Sequence, residues 1–144
     1  MHLLKTAWSY NQGVILGGLV ELHRASPNST YLSLASKIAQ SAIDHLSDST
    51  GVIHDECEPD CGADGTQFKG IFVRNLQALH AVVPDDAYVE TIQICADNIW
   101  WDDRDEWNRL SVIWGGDTAR FVVPANASTH SSAMEALIAA VTVR

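Results

Sequence analysis

The residues DGTQFKGIFVRNL, at positions 64–76, lie near the middle of the chain and join a loop to a helix. This stretch begins as a polar turn and continues as an apolar helix from Phe68, so a helix N-terminus lies beside polar and charged side chains. Backbone N–H groups in the first turn of a helix lack partners within the helix and attract oxygen ligands. Lys69 and Arg74 add donors, and the Phe68 ring adds a flat apolar face. The stretch suits a ligand that is rich in hydroxyl groups or carries an anion; a capped core helix with two surface charges is the alternative interpretation.

Hydrophobic periodicity predicts two alternating kinds of helix around this stretch. The first, third and fifth helices are apolar around most of their circumference and are therefore expected to be buried on all sides. The second and fourth have one apolar stripe and one polar face, as half-exposed helices do. Asp85 or Asp86 is expected to cap the fourth helix, and Ser128 or Thr129 the fifth. The predicted helices cover about residues 14–22, 30–46, 68–83, 86–100 and 131–141.

This order of helices predicts an all-α fold, a toroid of helix hairpins in which outer helices screen inner ones. Five of its helices are visible, and the segments share no short sequence period, which disfavours a tetratricopeptide-type array. A long polar loop at residues 47–67 joins the first hairpin to the second, and long loops in compact domains are usually functional. Two apolar pieces, residues 112–114 and 121–123, are candidates for short extended segments.

Composition narrows the choice of ligand. The chain has 144 residues and a formal net charge of −9, which argues against nucleic acid or an anionic membrane as partner because both require a basic face. The five Trp residues offer flat faces on which sugar rings can stack. No apolar run approaches the roughly 20 residues that a membrane span needs. The N-terminal residues are too few and too polar for a signal peptide.

Other features are typical of exported proteins. Asn28 and Asn126 each begin an N-glycosylation acceptor sequence. Cys57 and Cys61 are spaced to close a small disulfide ring in an acidic loop, whereas Cys95 is expected to be a buried free thiol. A metal site in this loop is the alternative, but the spacing matches neither zinc nor calcium motifs, and no cofactor is expected. An export-like chain without an export signal suggests that an N-terminal part is missing.

Two long motifs occur in order along the chain, WSYNQGVILGGL at residues 8–19 and FKGIFVRNL at residues 68–76. They are similar to the W-x-YNQG-x-x-LGGL and FKGIFxRxL segments of glycoside hydrolase family 76. The loop at residues 57–65 resembles the paired-cysteine loop of fungal members. The match continues in order through residues 98–100 and 114–116 and covers essentially the whole chain.

The resemblance implies an (α/α)6 toroid that cleaves α-1,6-mannan internally with retention of configuration. In fungi, some relatives are thought to be cell-wall transglycosylases that join lipid-anchored mannoproteins to wall glucan; such members are exported, glycosylated and often lipid-anchored. The expected location is therefore the medium, the cell wall or the cell surface, with membrane association only through regions outside this chain. The expected partner is α-1,6-linked mannan or another mannose-containing glycan.

The family's catalytic pair, two adjacent aspartates, lies upstream of the YNQG segment, whereas this chain begins seven residues before Trp8. A twelve-helix toroid needs well over about 200 residues, at about 10–14 per helix plus the loops between the helices. Residues 1–144 are therefore expected to be the C-terminal portion of a single toroid domain, without the catalytic pair and inactive alone. Of the two adjacent Asp pairs present, the one at 85–86 is expected to cap a helix, and the one at 102–103 falls at a helix C-terminal end. No catalytic residue is assigned.

The resemblance implies that this chain forms one wall of the family's substrate groove. Polar side chains at the mouth of the inner helices are expected to hydrogen-bond sugar hydroxyls, and an aromatic ring is expected to stack on a sugar. The predicted substrate-binding residues are Asn11, Gln12, Asp64, Gln67, Phe68, Lys69 and Arg74. A standalone carbohydrate-binding or helical scaffold module is the alternative, and the long loops disfavour a helical-repeat protein-binding domain. Without the rest of the ring, apolar residues such as Val14 and Ile15 are expected to contact water, which favours association.

Overall fold

The computed structural model describes residues 7–116 and 125–143, and these residues are helical with no strand among them. Within these described ranges, six α-helices follow in chain order, the third of them a single turn, and a π-helical segment, Ile99–Asp103, extends the fifth. Their bounds are Ser9–Ala25 (α1), Ser29–Leu46 (α2), Gly62–Gly65 (α3), Phe68–His80 (α4), Asp86–Asn98 (α5) and Ala127–Thr142 (α6). All five predicted helices are present, and the all-α prediction is confirmed.

Side chains cap the N-termini of α2, α5 and α6, and one of these caps differs from the prediction. Asp85 caps α5 by accepting a hydrogen bond from the Ala87 N–H at 2.9 Å. The prediction that Ser128 or Thr129 caps α6 is wrong, because the Asn126 carboxamide accepts from both of their N–H groups, at 2.9 and 3.0 Å. The Thr129 hydroxyl in turn accepts from the Asn126 N–H at 2.9 Å. This reciprocal capping box starts α6 at Ala127, earlier than the periodicity suggested.

The helices form an inner and an outer layer. Helix α4 packs between α1 and α6, while α2 lies against α1, and α5 lies against α6 and α4. The core between the layers is built of aliphatic and aromatic side chains, among them Leu16, Phe72, Leu76, Ile92 and Ala136. The inner set α1, α4 and α6 and the outer set α2 and α5 match the predicted arrangement of hairpins.

Two glycines let the inner helices approach closely. A Cβ on Gly13 of α1 would lie 2.6 Å from the Phe72 Cα of α4, and a Cβ on Gly70 of α4 would lie 2.6 Å from the Ser132 carbonyl oxygen of α6. Both contacts are with backbone, which cannot move aside as a flexible side chain can. The Gly70 N–H also donates to the Ser132 hydroxyl at 2.9 Å. The spacing of the three inner helices therefore depends on these two positions.

The prediction that the first helix is buried on all sides is wrong for this chain. Leu16 and Val20 are buried, but Val14 and Ile15 are 53% and 46% exposed. The reason is that α1 has only α2 and α4 as close helical neighbours within the described residues. Ile138 on α6 is likewise exposed. Apolar faces at both ends of the inner layer agree with the expectation that a partial ring leaves apolar residues in water.

Smaller expectations have mixed outcomes. Residues 112–114 are buried irregular chain rather than an extended strand, while residues 121–123 lie outside the described residues. Cys95 is buried and has a free thiol, as predicted. In the part of the chain that the structure describes, no helix combines the length and the apolar character needed to cross a bilayer.

Replacing Gly13 by Ala is expected to destabilise the chain by about 1–3 kcal/mol, because overpacking a tight contact forces the backbone to shift. Gly18 is the matched control on the same helix, since a Cβ there meets nothing within 4 Å and Ala favours helix more than Gly does. Gly18→Ala is expected to leave stability unchanged or slightly raised. Chemical denaturation followed by circular dichroism measures both variants, and equal effects would contradict the role given to Gly13.

Candidate functional site

An open groove lies where the N-terminal ends of α1 and α4 meet. It has a volume of about 510 Å³ and draws its walls from the start of α1, the loop before α3, α3 itself and the first residue of α4. Helix α6 begins at the same end of the molecule, where the hydroxyls of Ser128 and Thr66 lie 2.5 Å apart. The lining residues are Trp8, Tyr10, Asn11, Cys57, Cys61, Asp64, Gly65 and Phe68.

Three aromatic rings form the apolar part of the groove. The Phe68 ring lies 4.5 Å from the Tyr10 ring, measured between centroids, with the planes tilted by 34°. Trp8 contacts the same Phe68 ring edge-on, with centroids 5.6 Å apart. Aromatic faces of this kind stack against the C–H faces of sugar rings, while Asn11 and Asp64 are exposed and supply groups that hydrogen-bond hydroxyls. The groove therefore combines a flat apolar surface with a polar rim.

A disulfide between Cys57 and Cys61 forms another part of the groove's lining, here called the disulfide wall. Helix α3 lies directly against it, since a Cβ on Gly65 would come within 2.9 Å of the Cys61 Cβ and 3.4 Å of the Cys57 sulfur. Asp64 is the neighbour of Gly65 in α3. The disulfide ring therefore determines where the Asp64 carboxylate stands on the rim.

A buried ion pair lies behind this wall. Lys69 is only 2% exposed, and its ammonium lies 2.6 Å from the Glu58 carboxylate. The same ammonium donates to the Val112 carbonyl oxygen at 2.6 Å and lies 4.6 Å from the centre of the Trp114 ring. A buried cation needs this complete set of partners because an unpaired charge in the interior is strongly unfavourable.

Glu58 is held from its other side by a histidine. His54 Nδ1 lies 2.8 Å from one Glu58 oxygen and His54 Nε2 lies 2.9 Å from Asp48, while the Asp55 N–H donates to the other Glu58 oxygen at 3.0 Å. The pKa of Glu58 is lowered: burial would raise it, but the hydrogen bond from His54 and the charge of Lys69 outweigh burial. The pKa of His54 is raised, chiefly by its hydrogen bond to Glu58, with burial opposing. Both shifts favour a charged His54 beside a charged Glu58.

Asp55 ties the same loop to the start of α1. Its carboxylate accepts from the Ser9 N–H at 2.7 Å and from the Ser9 hydroxyl at 2.5 Å, and both residues are buried. Burial raises the pKa of Asp55, with the two Ser9 hydrogen bonds acting in the opposite direction. Asp55 thus serves as a helix cap supplied by a distant part of the chain, and it fixes Trp8 and Tyr10 relative to the loop.

The structure brings together three of the seven predicted substrate residues. Asn11, Asp64 and Phe68 line one groove. Gln12 and Gln67 do not line it, although each is next to a residue that does. Successive residues of a helix point about 100° apart, so neighbours in sequence face different directions.

Lys69 and Arg74, which were also predicted to bind substrate, do not line this groove. The Lys69 ammonium is buried against Glu58, the Val112 carbonyl oxygen and the Trp114 ring, and Lys69 is not among the residues that line the groove. Arg74 is exposed and lies 2.9 Å from the Glu135 carboxylate of α6. It follows Phe68 by six residues, which places it about 9 Å along the helix from the groove, at about 1.5 Å per residue.

Sequence reasoning missed the groove residues Trp8 and Tyr10 and the supporting residues His54 and Glu58. Trp8 and Tyr10 belong to the segment that pointed to Asn11, so their aromatic rings were a usable signal. Glu58 lies between the two cysteines, and the acidic loop drew attention as a possible metal site instead. No group of three or more potential metal ligands is found among residues 7–116 and 125–143.

Neither adjacent Asp pair lines the groove. Asp85 caps α5. Asp103, in the π-helical segment, is buried and accepts a hydrogen bond from the Ser111 N–H at 2.7 Å and another from the Ser111 hydroxyl. These contacts hold the loop after α5 in place, which is a structural role.

The chain belongs to glycosyl hydrolase family 76, whose family model matches residues 1–143. It is therefore a member of a glycoside hydrolase family with a helical toroid fold. Comparison with curated protein sequences gives no match.

Solved structures share the fold. The Lin0763 protein from Listeria innocua is 26% identical, with a TM-score of 0.79 over 94% of this chain and 37% of its own. The GH76A α-1,6-mannanase from Salegentibacter sp. HEL1_6 is 23% identical, with a TM-score of 0.80 over 97% of this chain and 41% of its own. An inactive variant of that mannanase, in which two neighbouring aspartates are replaced by asparagine, was solved with α-1,6-mannotriose; it is 24% identical, with a TM-score of 0.79 over 95% of this chain and 40% of its own. The chain thus spans about two fifths of the length of these relatives.

Lys69→Met is expected to destabilise the chain by about 3–5 kcal/mol, because it leaves the Glu58 carboxylate buried without its cation. Lys37→Met is the matched control, since Lys37 is exposed on α2 and the same chemical change there is expected to alter stability by less than about 0.5 kcal/mol. Urea denaturation measures both. Similar effects of the two substitutions would show that the buried pair does not matter to folding.

The pH dependence of stability is expected to report on His54. Its pKa is raised above the ordinary value of 6.5, so its contribution is complete below pH 6.5 and is lost as the pH rises through the folded-state pKa. Glu58 behaves in the opposite way: its pKa is lowered from 4.5, so its contribution is present above pH 4.5 and is lost as the pH falls further.

The difference in unfolding free energy between the wild type and His54→Gln isolates the contribution of His54 to stability. The advantage of the wild type is expected to shrink as the pH rises above 6.5, measured by urea denaturation at a series of pH values. An advantage that grows with pH would contradict the assignment.

Proposed function

We propose that the groove binds a stretch of α-1,6-linked mannan and forms part of the substrate site of an endo-α-1,6-mannanase. The observation that carries the proposal is the aromatic wall of Trp8, Tyr10 and Phe68 beside the exposed amide of Asn11 and carboxylate of Asp64. A neutral polymer rich in hydroxyls offers C–H faces for the rings and donors and acceptors for the rim. The net charge of −9 suits such a ligand better than an anionic one.

The mannanase relatives support this substrate class. Two of them are described as complexes of inactive variants with α-1,6-mannotriose and α-1,6-mannotetrose. Their sequence identity to this chain, 24% in both cases, supports a shared fold, so the substrate is inferred from the groove chemistry together with the family.

We infer that the catalytic carboxylates are supplied from outside residues 1–144. A retaining glycosidase needs two carboxyl groups about 5–5.5 Å apart across the scissile bond. Among the described residues that line the groove, Asp64 is the one carboxylate. Neither adjacent Asp pair lines it: Asp85 caps α5, and Asp103 accepts from Ser111. The chain is accordingly proposed to bind glycan without cleaving it, as the C-terminal portion of one toroid.

We also propose that the protein is exported and acts at the cell wall or cell surface, as fungal members of the family are expected to do. The acceptor residues Asn28 and Asn126 are exposed, and each uses its carboxamide oxygen to cap a helix. N-linked glycans attach to the carboxamide nitrogen, so both caps are compatible with glycosylation. Hydrolysis of wall mannan and transfer of a lipid-anchored glycan are both reactions that such a site serves.

A non-catalytic carbohydrate-binding module is the second candidate. It is favoured by the combination of an aromatic surface and a polar rim in one groove, in which no acid pair is found among the described lining residues. The two candidates share the binding step and differ in whether a further part of a toroid completes the site.

Binding of α-1,6-mannotriose by the purified chain, measured by isothermal titration calorimetry, tests the proposal. Phe68→Leu is expected to weaken binding at least about tenfold, roughly 1.4 kcal/mol, because it keeps apolar volume but removes the flat face. Leu34→Ala is the control, since Leu34 is an exposed apolar residue on α2 away from the groove.

Two outcomes would contradict the proposal. Absence of binding by the wild-type chain, or equal binding by Phe68→Leu, would remove the groove as a glycan site. Release of shorter oligosaccharides from α-1,6-mannan by the purified chain would show instead that the catalytic acids are present within it.

A further inference from the structure

We propose that Lys69, Glu58 and His54 are positioning residues, which hold the disulfide wall of the groove where a bound glycan meets it. The inference rests on the proposed function, because it concerns the same groove. None of the three side chains lines the groove, so they act through the residues that do.

Glu58 connects the other two residues, Lys69 and His54, to the Cys57–Cys61 disulfide. It lies inside the short ring closed by Cys57 and Cys61, and its carboxylate is fixed by Lys69 at 2.6 Å, His54 at 2.8 Å and the Asp55 N–H at 3.0 Å. A ring with so few residues has little backbone freedom. Fixing one of its side chains in three directions therefore fixes the disulfide.

Lys69 connects that wall to the aromatic wall. It is the residue after Phe68 in the first turn of α4, and its ammonium is anchored by Val112 and Trp114 as well as by Glu58. Because the helix makes Phe68 and Lys69 point in different directions, the ring faces the groove while the ammonium reaches behind it. The ion pair thus sets the distance between the Phe68 ring and the disulfide.

His54 extends the network to the end of α2. Its two ring nitrogens lie close to Glu58 and Asp48, and Asp48 accepts from the Thr50 and Val52 N–H groups of the turn that follows α2. The charged groups that face His54 are Asp48, Glu58 and, at longer range, Lys69. The His54 N–H also donates to the carbonyl oxygen of Leu46, the last residue of α2, at 2.8 Å. The loop that carries the disulfide wall is therefore tied to the end of α2 as well as, through Lys69, to α4.

A positioning role also explains why the pair is ionic. Replacing a buried ion pair by apolar residues of similar volume is often neutral or stabilising, so stability alone does not require charges here. Hydrogen-bonded charges, unlike apolar contacts, fix direction as well as distance. Fixed directions would keep Asp64 and Phe68 at a constant separation across the groove, as binding of a glycan requires.

The test compares Lys69→Met with the charge-balanced double variant Glu58→Gln/Lys69→Met, and uses Lys37→Met as the control. The first readout is the rate at which dithiothreitol reduces the Cys57–Cys61 disulfide in the folded chain, measured by alkylation and mass spectrometry. The second is the dissociation constant for α-1,6-mannotriose. Circular dichroism and urea denaturation establish that each variant is folded.

The double variant is expected to recover most of the stability lost in Lys69→Met, because no charge is left unpaired. Its disulfide is nevertheless expected to be reduced at least about tenfold faster than in the wild type, and its affinity for mannotriose to fall at least about tenfold. Lys37→Met is expected to behave as the wild type. Recovery of stability without recovery of affinity separates positioning from a purely structural role.

Wild-type reduction rate and wild-type affinity in the folded double variant would overturn the inference, and so would faster reduction with unchanged affinity. Absence of mannotriose binding by the wild-type chain would contradict both the proposed function and the part of the inference that concerns glycan. In that case the reduction rate still decides whether the network holds the disulfide wall.

Discussion

The buried ion pair between Lys69 and Glu58 is the interaction on which the candidate site depends. Two charges removed from water are tolerated only when each is closely surrounded by partners, and here the partners come from four parts of the chain. Asp48 and His54 follow α2, Glu58 belongs to the disulfide ring, Lys69 begins α4, and Val112 and Trp114 precede α6. The loop between the two hairpins is held at Glu58 by Lys69 and His54, and at Asp55 by Ser9.

The helices below this network explain why the groove lies where it does. Gly13 and Gly70 let α1, α4 and α6 pack closely, and the three N-terminal ends come together at one end of the inner layer. Side chains from the first turns of those helices, and from the loops that precede them, then share one surface. The exposed apolar residues Val14 and Ile138, at opposite ends of the inner layer, fit a chain that spans about two fifths of its solved relatives.

Much of the fold could be predicted from the sequence because helix periodicity is a local property. The alternation of buried and amphipathic segments was enough to separate inner from outer helices. The misplaced cap of α6 reflects a choice between Asn126, Ser128 and Thr129, all of which are good capping residues. Only the backbone geometry shows that Asn126 accepts both N–H groups and that Thr129 completes the capping box.

The candidate site could be predicted only in part, because burial of a side chain depends on distant residues. Phe68 and Lys69 are neighbours in one motif, yet one faces the groove and the other is buried against Glu58 and Val112. The path of the disulfide loop follows no period, so nothing in the sequence showed that Glu58 turns inward toward Lys69. Asn11 and Asp64 were predicted because a short motif places them beside a helix start, where side chains remain accessible.

The most direct test of the account is a nuclear magnetic resonance titration of the isotopically labelled chain with α-1,6-mannotriose. If the groove binds glycan, the resonances of the Trp8 indole, the Tyr10 and Phe68 rings and the Asn11 carboxamide are expected to shift saturably. The resonances of α2 are expected to stay unchanged. Shifts confined to residues outside the groove, or no saturable shift at all, would contradict the account.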